Sequence, residues 1–370
     1  MELLKDWFRR SFSDPQVVIL GLFLVIGFAI VVGLGAWLAP MFASIVIAYL
    51  LEALVRWLQR IGLPRMAAIV IVFLLFIAVL VFLMFGLVPL VSRQLTQLVQ
   101  QFPNYLTKGQ ELLRQLPEAY PQLISDAQIE DLINQVGQEL ASVGQRLLGW
   151  SLASVGSVIA LVVYLVLVPV LVFFLLKDKD LMIGWFAARL PRERSLVNRV
   201  WGEAEAQIAN YVRGKVAEIF IVGGVTYVTF FLLGLQYAAL LATMVGFSVL
   251  VPYIGAAVAT LPIAIVAYFQ FGWGWDFGQV MIAYAIIQAL DGNLLVPLMF
   301  SEVVNMHPVA IILAILVFGG LWGFWGIFFA IPLATLVKAV INAWPGNPTP
   351  HASAGPAEGA ATEPEAREET

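Results

Sequence analysis

Residues 151–180 read SLASVGSVIALVVYLVLVPVLVFFLLKDKD, which is 26 uncharged residues followed by four charged ones. An uncharged apolar stretch of about 20 residues is long enough to cross a bilayer as a helix. The whole chain shares this character, with 61% hydrophobic residues, 12% charged residues and a mean hydropathy of +0.91. Soluble domains are about 45–50% apolar and about 25% charged. We therefore predict an all-α polytopic membrane protein.

Similar apolar stretches lie on both sides of this one. Upstream we predict membrane spans at residues 17–35, 37–55 and 66–91. A tight turn is expected at GLGAWLAP (33–40), because glycine and proline are the residues that most often interrupt a helix. These three helices and the stretch at 151–176 account for the first four spans.

Residues 92–150 are polar, and Pro103, Pro117 and Pro121 are expected to separate short amphipathic helices there, the clearest at 126–148. We predict that they form a small external helical domain. The prediction divides the chain into N-terminal transmembrane helices 1–3 (1–91), the external segment (92–150), transmembrane helix 4 (151–176), a cytoplasmic amphipathic segment (177–211), a transport core (212–342) and a disordered tail (343–370).

The distribution of Lys and Arg predicts the orientation, because cytoplasmic loops carry an excess of them. Residues 177–215 hold eight Lys and Arg in 39 positions, whereas residues 92–150 hold four in 59. The first segment is therefore expected in the cytoplasm and the second outside, with both termini cytoplasmic.

Two apolar segments near the C-terminus are interrupted. Residues 237–270 and 307–341 each run apolar, break at Gly and Pro and then resume. Each is either one kinked span or a re-entrant helical hairpin. We favour hairpins, since paired broken segments usually mark the substrate site of a transporter. The prediction is then about six transmembrane helices plus two broken hairpins, eight hydrophobic segments in all.

The stretch QALDGNLLVPLMF (288–300) places polar side chains in the middle of an apolar span. A carboxylate such as Asp291 is costly at that depth and usually faces a pathway or a partner. Gly292 and Pro297 would let the helix open, so that Asp291, Asn293 and Gln288 line a cavity for a proton, a small cation or a substrate. The alternative is that Asp291 only packs between helices, with Gln288 as its hydrogen-bond partner.

A second polar group precedes the transport core. Glu218 is expected to pair with Lys215 or Arg213 at the membrane interface, and a role as second coupling carboxylate is the alternative. Asn210, Arg213 and Lys215 would meet an anionic substrate at a cytoplasmic mouth, or serve only as a positive anchor.

Several classes of function are excluded by composition. The chain has no cysteine and only two histidines, so we expect no metal site and no cofactor. A net charge of −4 argues against a nucleic-acid partner. No G-x-x-x-x-G-K-[ST] loop and no G-x-S-x-G or H-E-x-x-H signature occurs. We therefore do not expect an enzyme.

Four stretches resemble the AI-2E family of bacterial transporters, in particular its PerM-type permeases. They are QIANYVRGK (207–215), VPYIGA (251–256), VYLVLVPVLVFFLLKDKD (163–180) and residues 289–340, which begin ALDGNLLVPLMF. The resemblance implies a multi-pass transporter of the inner membrane that exports a signalling furanone or exchanges cations for protons. It also implies homo-oligomers, a pentamer among them, and elevator-like motion of re-entrant hairpins.

The resemblance also assigns residues. The family's polar span motif falls on Asp291, Asn293 and Pro297. Its expected hinge and gating positions, together with those inferred from the sequence, are Pro252, Gly255, Gly292, Pro297, Gly319 and Gly320.

Our prediction is a secondary transporter of a small solute, such as an AI-2-like signalling molecule, coupled to a proton or sodium gradient. Its partners would be the lipid bilayer, the small-molecule or cation substrate and further copies of the chain. The alternatives are a Na⁺/H⁺ antiporter, a membrane scaffold that transports nothing and an oligomeric channel.

Overall fold

The computed structural model describes residues 15–119, 154–189, 195–252, 254–300 and 307–343. These ranges are helical apart from short turns, and no β-strand occurs within them. The predicted amphipathic helix at 126–148 and the tail beyond residue 343 lie outside the described residues. The helices are α1 (Pro15–Arg60), α2 (Arg65–Phe82), α3 (Val88–Ala119), α4 (Ser154–Lys177), α5 (Lys179–Ala187), α6 (Ser195–Leu232), α7 (Ala238–Ser248), α8 (Ile254–Phe271), α9 (Trp275–Leu290), α10 (Val296–Phe300), α11 (Pro308–Trp322) and α12 (Phe324–Ala343), with π-helical turns π1 (Leu83–Leu87) and π2 (Asp291–Leu295).

The described helices include five that are long and apolar enough to cross a membrane. They are Trp37–Arg60, Arg65–Glu111, Gln207–Leu232, Ile254–Phe271 and Trp275–Phe300. Four shorter apolar stretches lie in α4, α7, α11 and α12, at Val163–Lys177, Ala238–Ser248, Pro308–Trp322 and Phe324–Lys338. The prediction of an all-α polytopic membrane protein is confirmed.

The tight turn predicted at residues 33–40 is wrong, because α1 continues through it as one helix of 46 residues with Pro40 inside. Pro40 is buried, and the hydroxyl of Ser44 donates hydrogen bonds to the carbonyls of Pro40 (2.7 Å) and of Val168 in α4 (3.4 Å). C-terminal to this proline α1 packs against α4, where Ala48 and Val55 share a buried cluster with Val168 and Val172. Residues 15–91 therefore contain two long helices instead of the three predicted.

The helix breaks predicted at Pro103 and Pro117 are also wrong. α3 runs without interruption through both prolines from Val88 to Ala119. It continues α2 through π1, so the apolar span and the amphipathic segment form one rod. Near Pro103, Tyr105 is buried and stacks on Phe269 of α8, and such packing favours a continuous helix there.

α3 packs on the pair of helices α7 and α8. The side-chain oxygen Oε1 of Gln94 accepts a hydrogen bond of 2.8 Å from the backbone N–H of Leu240 in the first turn of α7. The ring of Tyr105 stacks on Phe269 of α8 at a centroid distance of 4.8 Å. The amphipathic helix is thereby joined to the first of the two interrupted segments.

Both π-helical turns precede a Val-Pro step. Pro89 follows π1 and Pro297 follows π2, and proline has no N–H to donate to the carbonyl four residues earlier. The preceding valine instead donates to the carbonyl five residues back, Val88 to Leu83 and Val296 to Asp291. Asp291 consequently lies at the start of a widened turn, a geometry that is frequent at functional sites.

The two interrupted segments each form a pair of packed helices. In the first, an ideal Cβ on Gly255 would lie 1.8 Å from the carbonyl oxygen of Ser248, so the chain turns too tightly for any side chain there. In the second, Gly323 separates α11 from α12 with φ of +58°, a conformation that favours glycine. Ile311 and Ile315 of α11 share a buried cluster with Ala330 of α12.

α6 lies at the centre of the molecule and packs against α1, α7, α9, α10 and α12. It approaches α7 most closely where Gly223 meets Gly246, since an ideal Cβ on Gly246 would lie 3.0 Å from the carbonyl oxygen of Ile219. Small residues allow such close helix packing in membranes. The break between α7 and α8 is thereby held beside the polar residues of α6.

Candidate functional site

A cavity of about 410 Å³ lies between α6, the α7–α8 break, the end of α9 with π2, and the α11–α12 pair. Its volume falls in the range of about 300–1,000 Å³ that is usual for small-molecule sites. Most of its wall is apolar, with polar side chains from α6, α9 and π2. The lining residues are Tyr211, Lys215, Glu218, Ser248, Val249, Val251, Pro252, Ala256, Gln288, Asp291, Gly292, Val296, Phe300, Ile311 and Ile331.

A buried ion pair forms the polar end of this cavity. The ammonium nitrogen Nζ of Lys215 lies 2.7 Å from the carboxylate oxygen Oε2 of Glu218, and the two side chains are 4% and 2% exposed. Lys215 Nζ also donates to the backbone carbonyl of Val249 at 2.9 Å and lies 5.1 Å from the centre of the Phe300 ring. The spacing of three residues along α6 brings lysine and glutamate together. A charge pair this deeply buried is retained only when such further partners satisfy it.

Asp291 provides a second carboxylate in the cavity wall. Asp291 is 8% exposed, and within the described residues its oxygen Oδ1 has no hydrogen-bond partner. The same holds for Gln288 Nε2 and for the hydroxyl of Tyr211, and both residues also line the cavity. Buried polar atoms are nearly always hydrogen-bonded. The three atoms therefore mark the cavity as a place where a solute, an ion or water supplies the missing partners.

The structure brings together six of the residues that the sequence singled out. Gln288, Asp291 and Gly292 meet Lys215, Glu218 and Pro252 in the wall of one cavity. Asn293 does not reach it, because its side chain is exposed and donates to the carbonyl of Ala289. Pro297 is exposed as well and acts on the site only through the π-helical turn before it.

The three residues expected at a cytoplasmic mouth do not form one cluster. Arg213 Nη2 donates to the side-chain oxygen of the exposed Asn210 at 3.1 Å, and its guanidinium group lies 5.6 Å from the centre of the Tyr49 ring. Lys215 is two residues further along α6, about 200° around the helix, and points into the cavity wall. Its pairing with Glu218 was expected, but the deep burial of both groups was not.

Sequence reasoning missed Tyr211, which lines the cavity with only 2% of its surface exposed. Tyr211, Lys215 and Glu218 are spaced by four and three residues, which places them on one face of a helix. That spacing is visible in the sequence, but a tyrosine beside an arginine at a span boundary looks like an interfacial anchor. Nor did the sequence indicate that the backbone carbonyl of Val249 would bind Lys215, because a carbonyl contact does not depend on residue type.

The glycines expected to act as hinges have different surroundings. Gly319 and Gly320 lie inside α11, and the helix ends three residues later, at Gly323. An ideal Cβ on Gly319 would lie 2.9 Å from Ile327 Cγ1 of α12, whereas no atom lies within 4 Å of one on Gly320. Gly255 is buried against the end of α7. Gly319 and Gly255 thus allow close packing in the two helix pairs.

Comparisons with known proteins give a consistent result. The model of the AI-2E transporter family matches residues 18–346. The permease PerM of Escherichia coli K12 is 48% identical over 345 residues, which cover 93% of this chain and 98% of that protein. The transport protein YueF of Bacillus subtilis is 28% identical over 307 residues, 81% of this chain and 82% of its own. The transport protein MT0215 of Mycobacterium tuberculosis is 29% identical over 315 residues, 84% of this chain and 83% of its own.

Proposed function

The chain belongs to the AI-2E transporter family, and we propose that it is a secondary transporter that moves a small solute across the bacterial inner membrane through the cavity beside Asp291. The family consists of membrane transporters and not of enzymes. Membership of the family does not identify the solute, the coupling ion or the residues that bind them. We therefore propose these from the chemistry of the cavity.

The observation that carries the proposal is the buried carboxylate of Asp291, whose oxygen Oδ1 has no partner among the described residues, in a cavity of about 410 Å³. An ionisable group in a membrane span costs several kcal/mol unless it pairs or serves a pathway. A scaffold that transports nothing has no use for such a group beside an open cavity. A carboxylate that binds and releases a cation as the cavity opens alternately to the two sides of the membrane is the simplest means of coupling solute movement to cation movement.

The chemistry of the wall suggests the class of solute. One end of the cavity offers Asp291 as acceptor, with Gln288 and the Tyr211 hydroxyl as further hydrogen-bonding groups, and the remainder is lined by side chains such as Val296 and Ile331. A small neutral molecule with several hydroxyl groups on a compact carbon skeleton would satisfy both parts. A hydroxylated furanone of the AI-2 type has this chemistry.

The two helix pairs are suited to be the moving parts. We propose that α7–α8 and α11–α12 are re-entrant hairpins, because each turns sharply at a glycine and packs on itself. Their movement relative to α6 would open the cavity to one side of the membrane and then to the other. The excess of Lys and Arg in residues 177–215 favours the cytoplasm for α5 and the outside for residues 92–150. Assembly into homo-oligomers is part of the same proposal.

Proton movement in proteoliposomes tests this proposal. Wild-type protein, Asp291→Asn and Asp276→Asn are reconstituted with a pH-sensitive dye inside, and candidate solutes, beginning with hydroxylated furanones, are added outside. Asp276 is the matched control, because it is an exposed carboxylate in the first turn of the same helix, α9. We expect a transported solute to move protons in wild type and in Asp276→Asn but not in Asp291→Asn. Unchanged proton movement in Asp291→Asn would exclude Asp291 as the coupling group.

A further inference from the structure

We propose that the ammonium group of Lys215 occupies the place of a coupling sodium ion, so that this cavity binds no Na⁺ and the transport cycle is driven by protons. The inference rests on the proposed function of the cavity, and it assigns to one residue of α6 the choice between the two coupling ions. Lys215 is then a specificity-determining residue.

The partners of Lys215 are those that a sodium ion would use. Its nitrogen binds the carboxylate of Glu218 at 2.7 Å and the carbonyl of Val249 at 2.9 Å. Val249 is the residue at which α7 ends, next to the break before α8. In transporters with interrupted helices, carbonyls at helix C-terminal ends coordinate Na⁺ or H⁺, and hard cations take oxygen ligands. Here a tethered ammonium group holds both oxygens.

Besides Glu218, the described residues that line the cavity include one carboxylate, Asp291. The titratable side chains that line the cavity are Tyr211, Lys215, Glu218 and Asp291. The ion pair of Lys215 with Glu218 is neutral as a whole, whereas Asp291 has no basic partner at hydrogen-bond distance among the described residues. Within the described ranges, no group of three acidic, His or Cys side chains is placed to hold a metal ion. A single carboxylate supplies too few oxygen ligands for a metal cation, whereas a proton adds to Asp291 by forming a covalent O–H bond.

The neighbouring residues fix the ammonium group in this position. The ring of Phe300 lies 5.1 Å from Lys215 Nζ, a distance at which a cation is attracted to an aromatic face. Gly214 permits this contact, because an ideal Cβ there would lie 2.8 Å from Cε1 of Phe300. Gly214 and Lys215 thus act together: Gly214 leaves room for the Phe300 ring, and Lys215 supplies the positive charge that the ring attracts.

The test measures Na⁺ binding without requiring transport. Thermal unfolding of purified protein is followed at increasing NaCl, with choline chloride keeping the ionic strength constant. Wild type is expected to show no saturable effect of Na⁺. Lys215→Ala exposes the oxygens of Glu218 and Val249, so its Tm is expected to rise saturably by about 2 °C or more once Na⁺ exceeds its Kd about tenfold. The matched control is Lys215→Ala combined with Glu218→Gln, which lacks the carboxylate and should not respond to Na⁺.

Two results would overturn the inference. One is a saturable stabilisation of wild type by Na⁺ that Glu218→Gln abolishes, and the other is a folded Lys215→Ala that gains no response. If Lys215→Ala does not fold, a sodium jump on wild-type proteoliposomes decides: no proton movement is expected, and sodium-driven proton movement refutes the inference. Failure of the proposed function is a separate outcome, in which no solute moves protons although the Na⁺ titrations behave as expected.

Discussion

The close approach of α12 to the end of α11 at Gly326 should make this position highly sensitive to a single added methyl group. An ideal Cβ on Gly326 would lie 1.8 Å from the carbonyl oxygen of Phe318 and 2.9 Å from Cβ of Trp322, whereas real Cβ contacts essentially never fall below 3.0 Å. Gly326→Ala therefore forces α12 away from α11 by more than about 1 Å, at a cost of about 3 kcal/mol for overpacking. The obstructing atom belongs to the backbone, so no side chain can rotate to relieve the contact.

Gly320→Ala is the matched control for this substitution. Gly320 is in the interior of α11 with no atom within 4 Å of its ideal Cβ, so alanine should stabilise the helix by about 0.5–1 kcal/mol. The free energies of unfolding of the two variants then differ by about 4 kcal/mol, and their Tm values by on the order of 8 °C. The intrinsic fluorescence of the 11 tryptophans reports the transition. A Gly326→Ala variant as stable as Gly320→Ala would refute the geometry of the turn.

Two further predictions concern α3 and the orientation of the chain. Gln94→Ala removes the acceptor for the backbone N–H of Leu240 in α7 and should lower the free energy of unfolding by about 1 kcal/mol, measured by thermal unfolding. Gln94→Glu keeps an acceptor oxygen and should retain most of the wild-type stability. A membrane-impermeant maleimide added to intact cells should label Thr107→Cys, because α3 is proposed to extend outside. It should not label Asp178→Cys, and the reverse labelling pattern would show that the proposed orientation is inverted.

The membrane character of the fold could be predicted from composition and from charge-free stretches, because a bilayer imposes a strong requirement on sequence. The continuation of α1 as a helix through Pro40 could not be predicted. A glycine- and proline-containing stretch suits both a turn and an unbroken helix. The local residue types do not reveal that α1 packs here against α4, more than 120 residues away, with Ser44 close to the carbonyl of Val168. The same uncertainty applies to Pro103, because the stacking of Tyr105 on Phe269 of α8 cannot be read from the local sequence.

The candidate site was predictable to the extent that polar residues in apolar spans are rare. Asp291, Gln288 and Glu218 stand out for this reason, and the structure brings them to one cavity. The position of Lys215 was not predictable from residue type, because a lysine near the end of a span usually lies at the interface. Its burial depends on the carbonyl of Val249, which becomes available only where α7 ends.

The central claim is that the cavity beside Asp291 is the path of the solute, and cysteine labelling tests it most directly. The chain contains no cysteine, so a single introduced thiol can be followed without background. Ser248→Cys lines the cavity, and Thr226→Cys, at a fully buried position that does not line it, is the control. We predict that a small water-soluble thiol reagent labels Ser248→Cys, that the side of the membrane from which it does so changes when a proton gradient is imposed, and that Thr226→Cys stays unlabelled. A Ser248→Cys thiol that no reagent reaches from either side would contradict the claim.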